Sequence, residues 1–111
     1  GEAPLAAAYR ELLEETGVQA DHVTLRGRTR DWQYYDLPPE VVPERWNGRF
    51  RGQKQMWFHL GLTAPDSVID LRHKDVEFSD WRWMTGAELL DAIVPFKRPI
   101  YGAVLAEFGL I

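Results

Sequence analysis

Glu2-Ala3-Pro4-Leu5-Ala6-Ala7-Ala8-Tyr9-Arg10-Glu11-Leu12-Leu13-Glu14-Glu15-Thr16-Gly17-Val18 is the stretch from which the rest of the chain is read. At the helical period Glu11, Glu14 and Glu15 fall on one face, at i, i+3 and i+4. Leu5, Ala8, Tyr9 and Leu12 form a separate apolar stripe. Pro4 stands where a first-turn proline is tolerated, and Gly17 where helices end in the left-handed conformation, so the spacing predicts a helix over residues 4–16. The carboxylate face is unfavourable in itself. Like charges at i,i+4 oppose a helix by roughly 0.2–0.5 kcal/mol per pair, and each anion near the negative end of the helix dipole costs roughly 0.3–1 kcal/mol. Two local rules broken at one place point to a site. A divalent cation relieves both, and hard Mg²⁺ takes oxygen ligands and prefers a site completed by substrate phosphates.

This spacing resembles the Nudix hydrolase signature, Gly-x5-Glu-x7-Arg-Glu-U-x-Glu-Glu-x-Gly-U, in which U is a bulky aliphatic residue. The matches are Glu2, Arg10, Glu11, Leu12, Glu14, Glu15, Gly17 and Val18. The pattern's first glycine would fall before Gly1, so the chain reads as an N-terminally incomplete Nudix domain over residues 1–111, lacking the family's first strands. A solvated acidic helix face is the plain alternative for three glutamates; the joint spacing with Arg10, Gly17 and the aliphatics counts against it.

Four further runs resemble the bacterial RNA pyrophosphohydrolase and dinucleoside-polyphosphate hydrolase branch of that family. They are Tyr35-Asp36-Leu37-Pro38, Gly52-Gln53-Lys54-Gln55-Met56-Trp57-Phe58, Glu77-Phe78-Ser79-Asp80-Trp81-Arg82-Trp83 and Phe96-Lys97-Arg98. The resemblance implies that Glu11, Glu14, Glu15 and Glu77 are the catalytic carboxylates and ligands of Mg²⁺, or of Mn²⁺ in its place. It makes Glu2 and Arg10 a structural salt bridge, with Arg10 off the carboxylate face. It implies that Phe96 stacks on a substrate base with Lys97 beside it, that Val94 offers its backbone to the same base, and that Gln53 and Gln55 line the phosphate channel. By strand parity Lys54 points away from those two glutamines. Each role has a bland alternative: an exposed glutamate for Glu77, a core phenylalanine for Phe96. Trp57, Trp81 and Trp83 read as core or pocket walls, and His22, His59 and His73 as structural or surface histidines.

Composition narrows the rest. At 111 residues and 45% hydrophobic, one domain with a real core is expected. A net charge of −4 argues against general electrostatic binding of duplex nucleic acid, although Arg28, Arg30, Arg49, Arg51 and Lys97 offer a local basic path for an RNA end. The absence of cysteine excludes disulfides and thiolate metal sites and fits a reducing cytoplasm. No apolar run approaches a membrane span.

Along the chain, strands are expected at 22–30, 32–35, 53–62 and 77–84. Residues 38–52 should form a long exposed connection, and 63–75 a polar link. Thr85-Gly86-Ala87-Glu88 is a capping box opening a helix to about residue 93, and a last helix begins near Pro99. The order is α+β, consistent with a mixed sheet between helices. The implied reaction is Mg²⁺-dependent hydrolysis of a phosphoanhydride by in-line attack of water, with Glu11, Glu14 and Glu77 as candidate general bases. The preferred substrate is 5′-triphosphorylated RNA, losing pyrophosphate. The alternatives are asymmetric hydrolysis of dinucleoside polyphosphates and, in a different class, a non-catalytic Nudix-like domain that binds nucleotides or proteins.

Overall fold

The computed structural model of the protein describes residues 2–36, 52–72 and 78–111, except the side chains of Tyr35, Asp36 and Gln53. These residues fall into two compact units, Gly1–Gly27 with Phe58–Trp83 and Arg28–Trp57 with Met84–Ile111. The elements are α1 (Pro4–Thr16), β1 (Val23–Arg28), β2 (Gln33–Asp36), β3 (Gly52–Gln55), β4 (Phe58–Leu62), α2 (Gly86–Ala92) and α3 (Arg98–Glu107), with short 3₁₀ turns at Ala20–His22, Asp66–Val68 and Pro95–Lys97. Helix first, strands in the middle and helices last is the expected α+β order. The expected connection over 38–52 and Glu77 lie outside the described residues, apart from Gly52, which opens β3.

In the first unit α1 has the predicted bounds. Pro4 occupies its first turn, and Gly17 closes it at φ +72°, with the Gly17 N–H donating to the Leu13 carbonyl at 2.9 Å. The Asp70 N–H donates to the Thr16 carbonyl at 2.6 Å, which ties the helix end to the chain beyond β4. A Cβ at position 17 would sit 3.1 Å from the Asp70 Cβ. The left-handed backbone favours glycine there, and a side chain would also press tightly on Asp70. Gly17→Ala should cost roughly 1–2 kcal/mol for the left-handed backbone alone, more with the Asp70 contact. Urea unfolding checks this, and an unchanged midpoint would contradict it.

β1 pairs with β4. Their apolar side chains, with Leu12 and Thr16 of α1 and Ile69 and Leu71 beyond β4, surround an open cavity of about 220 Å³. Trp81 and Trp83 form part of its wall and remain 39% and 63% exposed, so they are pocket walls rather than core. Alternation in β1 is imperfect: Leu25 is 41% exposed despite sharing a parity with Val23.

Two expected strands are corrected. Residues 53–62 are not one strand but β3 and β4, interrupted at Met56-Trp57 and belonging to separate sheets. The interruption is built by Thr29, which is fully buried. Its N–H donates to the Trp57 carbonyl at 2.9 Å, its Oγ1 accepts from the Trp57 N–H at 3.1 Å, and the hydroxyl contacts the Met56 sulfur at 3.2 Å. One side chain thus takes a hydrogen bond that a continuous ladder would have used. Residues 78–85 form no strand either. The Asp80 carboxylate accepts the Trp81 N–H at 2.8 Å, a local bond that competes with pairing. Trp83 Nε1 donates to Asp66 at 3.0 Å, and the Trp81 and Trp83 rings meet edge to face at 5.9 Å.

In the second unit β2 and β3 are antiparallel, with Gln33 opposite Gln55, Tyr34 opposite Lys54 and Tyr35 opposite Gln53. The predicted capping box opens α2: Thr85 Oγ1 accepts the Glu88 N–H at 3.2 Å, and the Glu88 carboxylate accepts the Thr85 N–H at 3.0 Å. α3 buries Ile100, Val104 and Leu105, three of the residues that make the core. The Arg98 guanidinium donates to the Leu90 carbonyl at 3.1 Å, and Glu107 accepts the Arg30 N–H at 2.8 Å. Among the described residues no helix is long and apolar enough to cross a membrane.

Candidate functional site

The carboxylate face of α1 is organised by an arginine. Arg10 Nε and Nη2 donate to the Glu2 carboxylate at 2.9–3.1 Å, a forked contact from the helix to the segment that enters it. The same guanidinium donates from Nη1 to Glu14 at 3.2 Å and lies 3.8 Å from Glu11. This corrects the expectation that Arg10 stands off the carboxylate face. An arginine one turn before a glutamate has the reach to bridge i to i+4, and here it joins Glu2 to two of the three clustered glutamates. A positive charge among them offsets the repulsion that the sequence pattern implies.

The carboxylates differ in exposure. The Glu14 side chain is 20% exposed and that of Glu11 60%; Glu15 is half-buried. As donors the three fit a hard divalent cation, being carboxylate oxygens within five consecutive positions at the end of one helix. Among the described residues, however, no three acidic, histidine or cysteine side chains converge on one point. Glu77, the fourth expected ligand, lies outside the described residues.

Charge on the Arg10 pair follows from these contacts. Hydrogen bonds from Arg10 hold the Glu2 carboxyl below its usual range, opposed in part by desolvation and aided by the guanidinium charge; hydrogen bonding to Glu2 pushes the Arg10 guanidinium up, and it stays charged. A carboxyl whose folded-state pKa is lowered stabilises the fold above its unfolded pKa, and the gain is lost as pH falls through the lowered value. The melting-temperature difference between the wild type and Glu2→Gln should therefore be largest near neutrality and shrink on acidification below the ordinary carboxylate range. A difference independent of pH would contradict the pairing. Arg10→Ala should lower the melting temperature by only a few degrees, because the pair is half-exposed, and should reduce turnover through the lost hold on Glu14. Unchanged melting with lost substrate binding would make Arg10 a substrate ligand instead.

The residues expected at the substrate lie in the second unit. Phe96 and Lys97 belong to the 3₁₀ turn before α3 and are half-buried, with Lys97 Nζ 5.9 Å above the Phe96 ring; Val94, just before the turn, is 46% exposed. Gln55, Trp57, Lys97, Ile100 and Tyr101 line a cavity of about 60 Å³. Lys54 Nζ lies 4.8 Å from the centroid of the Trp32 ring. The side chain of Gln53 lies outside the described ones, as do Arg49, Arg51 and His73. Arg28 and Arg30 are exposed. His22 is structural: its Nδ1 accepts the Gln19 N–H at 3.0 Å. Sequence reasoning missed Thr29 and Asp70, which fix the Trp57 backbone and the end of α1; their only signal was a small polar residue in an otherwise alternating run and an acid in a link.

Residues 1–104 match the NUDIX domain. The RNA pyrophosphohydrolase of Roseobacter denitrificans is 50% identical over 108 residues, 97% of this chain and 68% of that protein. That of Dinoroseobacter shibae is 48% identical over 109 residues, 98% of this chain and 68% of its own length. That of Rickettsia canadensis is 44% identical over 108 residues, 97% of this chain and 66% of that protein. The resemblance first carried by Glu2 to Val18 thus extends over nearly the whole sequence: the chain belongs to the NUDIX domain family of phosphoanhydride hydrolases.

Proposed function

We propose that this domain removes pyrophosphate from the 5′ end of triphosphorylated RNA in a Mg²⁺-dependent reaction, and that residues 1–111 act as one Nudix domain. The observation that carries the reading is the α1 carboxylate face, with Glu14 held by the Arg10 that also grips Glu2. The relatives named as RNA pyrophosphohydrolases support the choice of substrate. Glu11, Glu14, Glu15 and Glu77 are the residues that would hold the metal. When bound, Mg²⁺ supplies a Lewis acid at the phosphates and eases deprotonation of the attacking water. The protein's own part is to present Glu11, Glu14 and Glu15 from one helix face, to fix the entry into α1 through Glu2 and Arg10, and to offer a carboxylate as proton acceptor. Phe96 gives a sequence-tolerant stacking face for a base, with Lys97, Val94, Gln53 and Gln55 around the nucleotide. The absence of cysteine is compatible with work in a reducing cytoplasm.

Parallel assays on triphosphorylated RNA and on diadenosine tetraphosphate, each with Mg²⁺ and with chelator, test this. The expected result is metal-dependent pyrophosphate release, faster from RNA. Faster cleavage of the dinucleotide would reassign the substrate, and no turnover of either would favour a binding domain.

A further inference from the structure

Trp57 carries a hydrogen-bond donor with no acceptor among the described residues. Its indole Nε1 is shielded from solvent and unpaired there. Buried donors left in this way are rare in native proteins, and each calls for a water or a ligand group to complete it. Thr29 fixes the Trp57 backbone through both its N–H and its carbonyl, and Tyr101 meets the indole edge to face at 5.0 Å. Trp57 is one of the residues that line the cavity of about 60 Å³, together with Lys97.

Among the lining residues, the Trp57 indole N–H and the Lys97 ammonium only donate, while the Gln55 amide beside them both donates and accepts. The completing group must accept hydrogen bonds, and the ammonium favours one bearing negative charge. The cavity is small and open to solvent, so it can receive an acceptor group carried by a larger molecule. Lys97 links this cavity to Phe96, its Nζ lying 5.9 Å from the ring centroid.

We propose that Trp57 Nε1 donates a hydrogen bond to an oxygen of the nucleotide substrate, beside Lys97, and so helps decide how the nucleotide is seated. The inference rests on the nucleotide-hydrolase reading above. The oxygen comes from a base carbonyl or from a phosphate, and both present the same acceptor.

Nuclear magnetic resonance of the tryptophan indole N–H groups tests it. The chain has five tryptophans, and the Trp57 signal is assigned through its contacts to Tyr101. A non-hydrolysable imido analogue of GTP and inorganic triphosphate are added separately with Mg²⁺. The Trp57 indole proton should move downfield by several tenths of a part per million, while the other indole signals move far less. A shift with the analogue alone assigns the base carbonyl; a shift with both assigns the phosphate. An unmoved Trp57 signal while the analogue binds elsewhere overturns the proposal and leaves the donor to a trapped water. In kinetics, Trp57→Phe should raise KM for triphosphorylated RNA about tenfold with kcat within about twofold. A folded Trp57→Phe with unchanged KM also overturns it. Loss of Mg²⁺-dependent hydrolysis in the wild type would instead strike the function reading, so the two failures are distinguishable.

Discussion

Glu14→Gln and Glu15→Gln, each made alone, are expected to lower turnover of triphosphorylated RNA by at least about two orders of magnitude while the fold survives. The reasoning is electrostatic. The amide keeps the shape of the side chain but offers a weaker, neutral oxygen to a hard cation. Stability should hold or rise, because each change removes an anion from a like-charged cluster at the negative end of the α1 dipole. For Glu14 the change also loses the 3.2 Å contact with Arg10, but Arg10 keeps its fork to Glu2. Steady-state kinetics with a melting curve on each variant decides the matter. Near-normal turnover in both would remove the carboxylate face from the mechanism.

Phe96→Ala should weaken RNA processing by roughly ten- to a hundredfold, from the loss of about 1–3 kcal/mol of base stacking. The phenylalanine is half-buried in the turn before α3. Its removal should cost far less stability than the roughly 3–5 kcal/mol of an emptied core site. Unaltered kinetics with a large stability loss would return Phe96 to the core. Equal loss on diadenosine tetraphosphate would make it a base platform shared by both substrates.

What was legible in the sequence was local. The bounds of α1, its left-handed stop at Gly17, the capping box of α2 and the start of α3 near Pro99 follow from spacing and caps, and stand as expected. The errors arise where tertiary contacts override local pattern. Alternation from Gln53 to Leu62 cannot reveal that a distant Thr29 takes the Trp57 N–H and splits the run in two. Tryptophan-rich residues 78–84 have strand composition, yet the Asp80 carboxylate takes the Trp81 N–H that a ladder would use, and a distant Asp66 holds the Trp83 indole. At the site, the helical period gave the clustering of Glu11, Glu14 and Glu15. It could not show that Arg10 reaches across to Glu14, because side-chain length and rotamer, not face, set that contact.

Manganese uptake, followed by the electron paramagnetic resonance signal of free Mn²⁺, tests the central claim most directly. That claim is that the carboxylate face of α1 holds the divalent cation. The wild type should bind Mn²⁺ and release it to excess Mg²⁺, and the Glu14→Gln/Glu15→Gln double variant should bind at least about tenfold more weakly with its melting temperature preserved. Equal Mn²⁺ uptake by the two proteins would contradict the account.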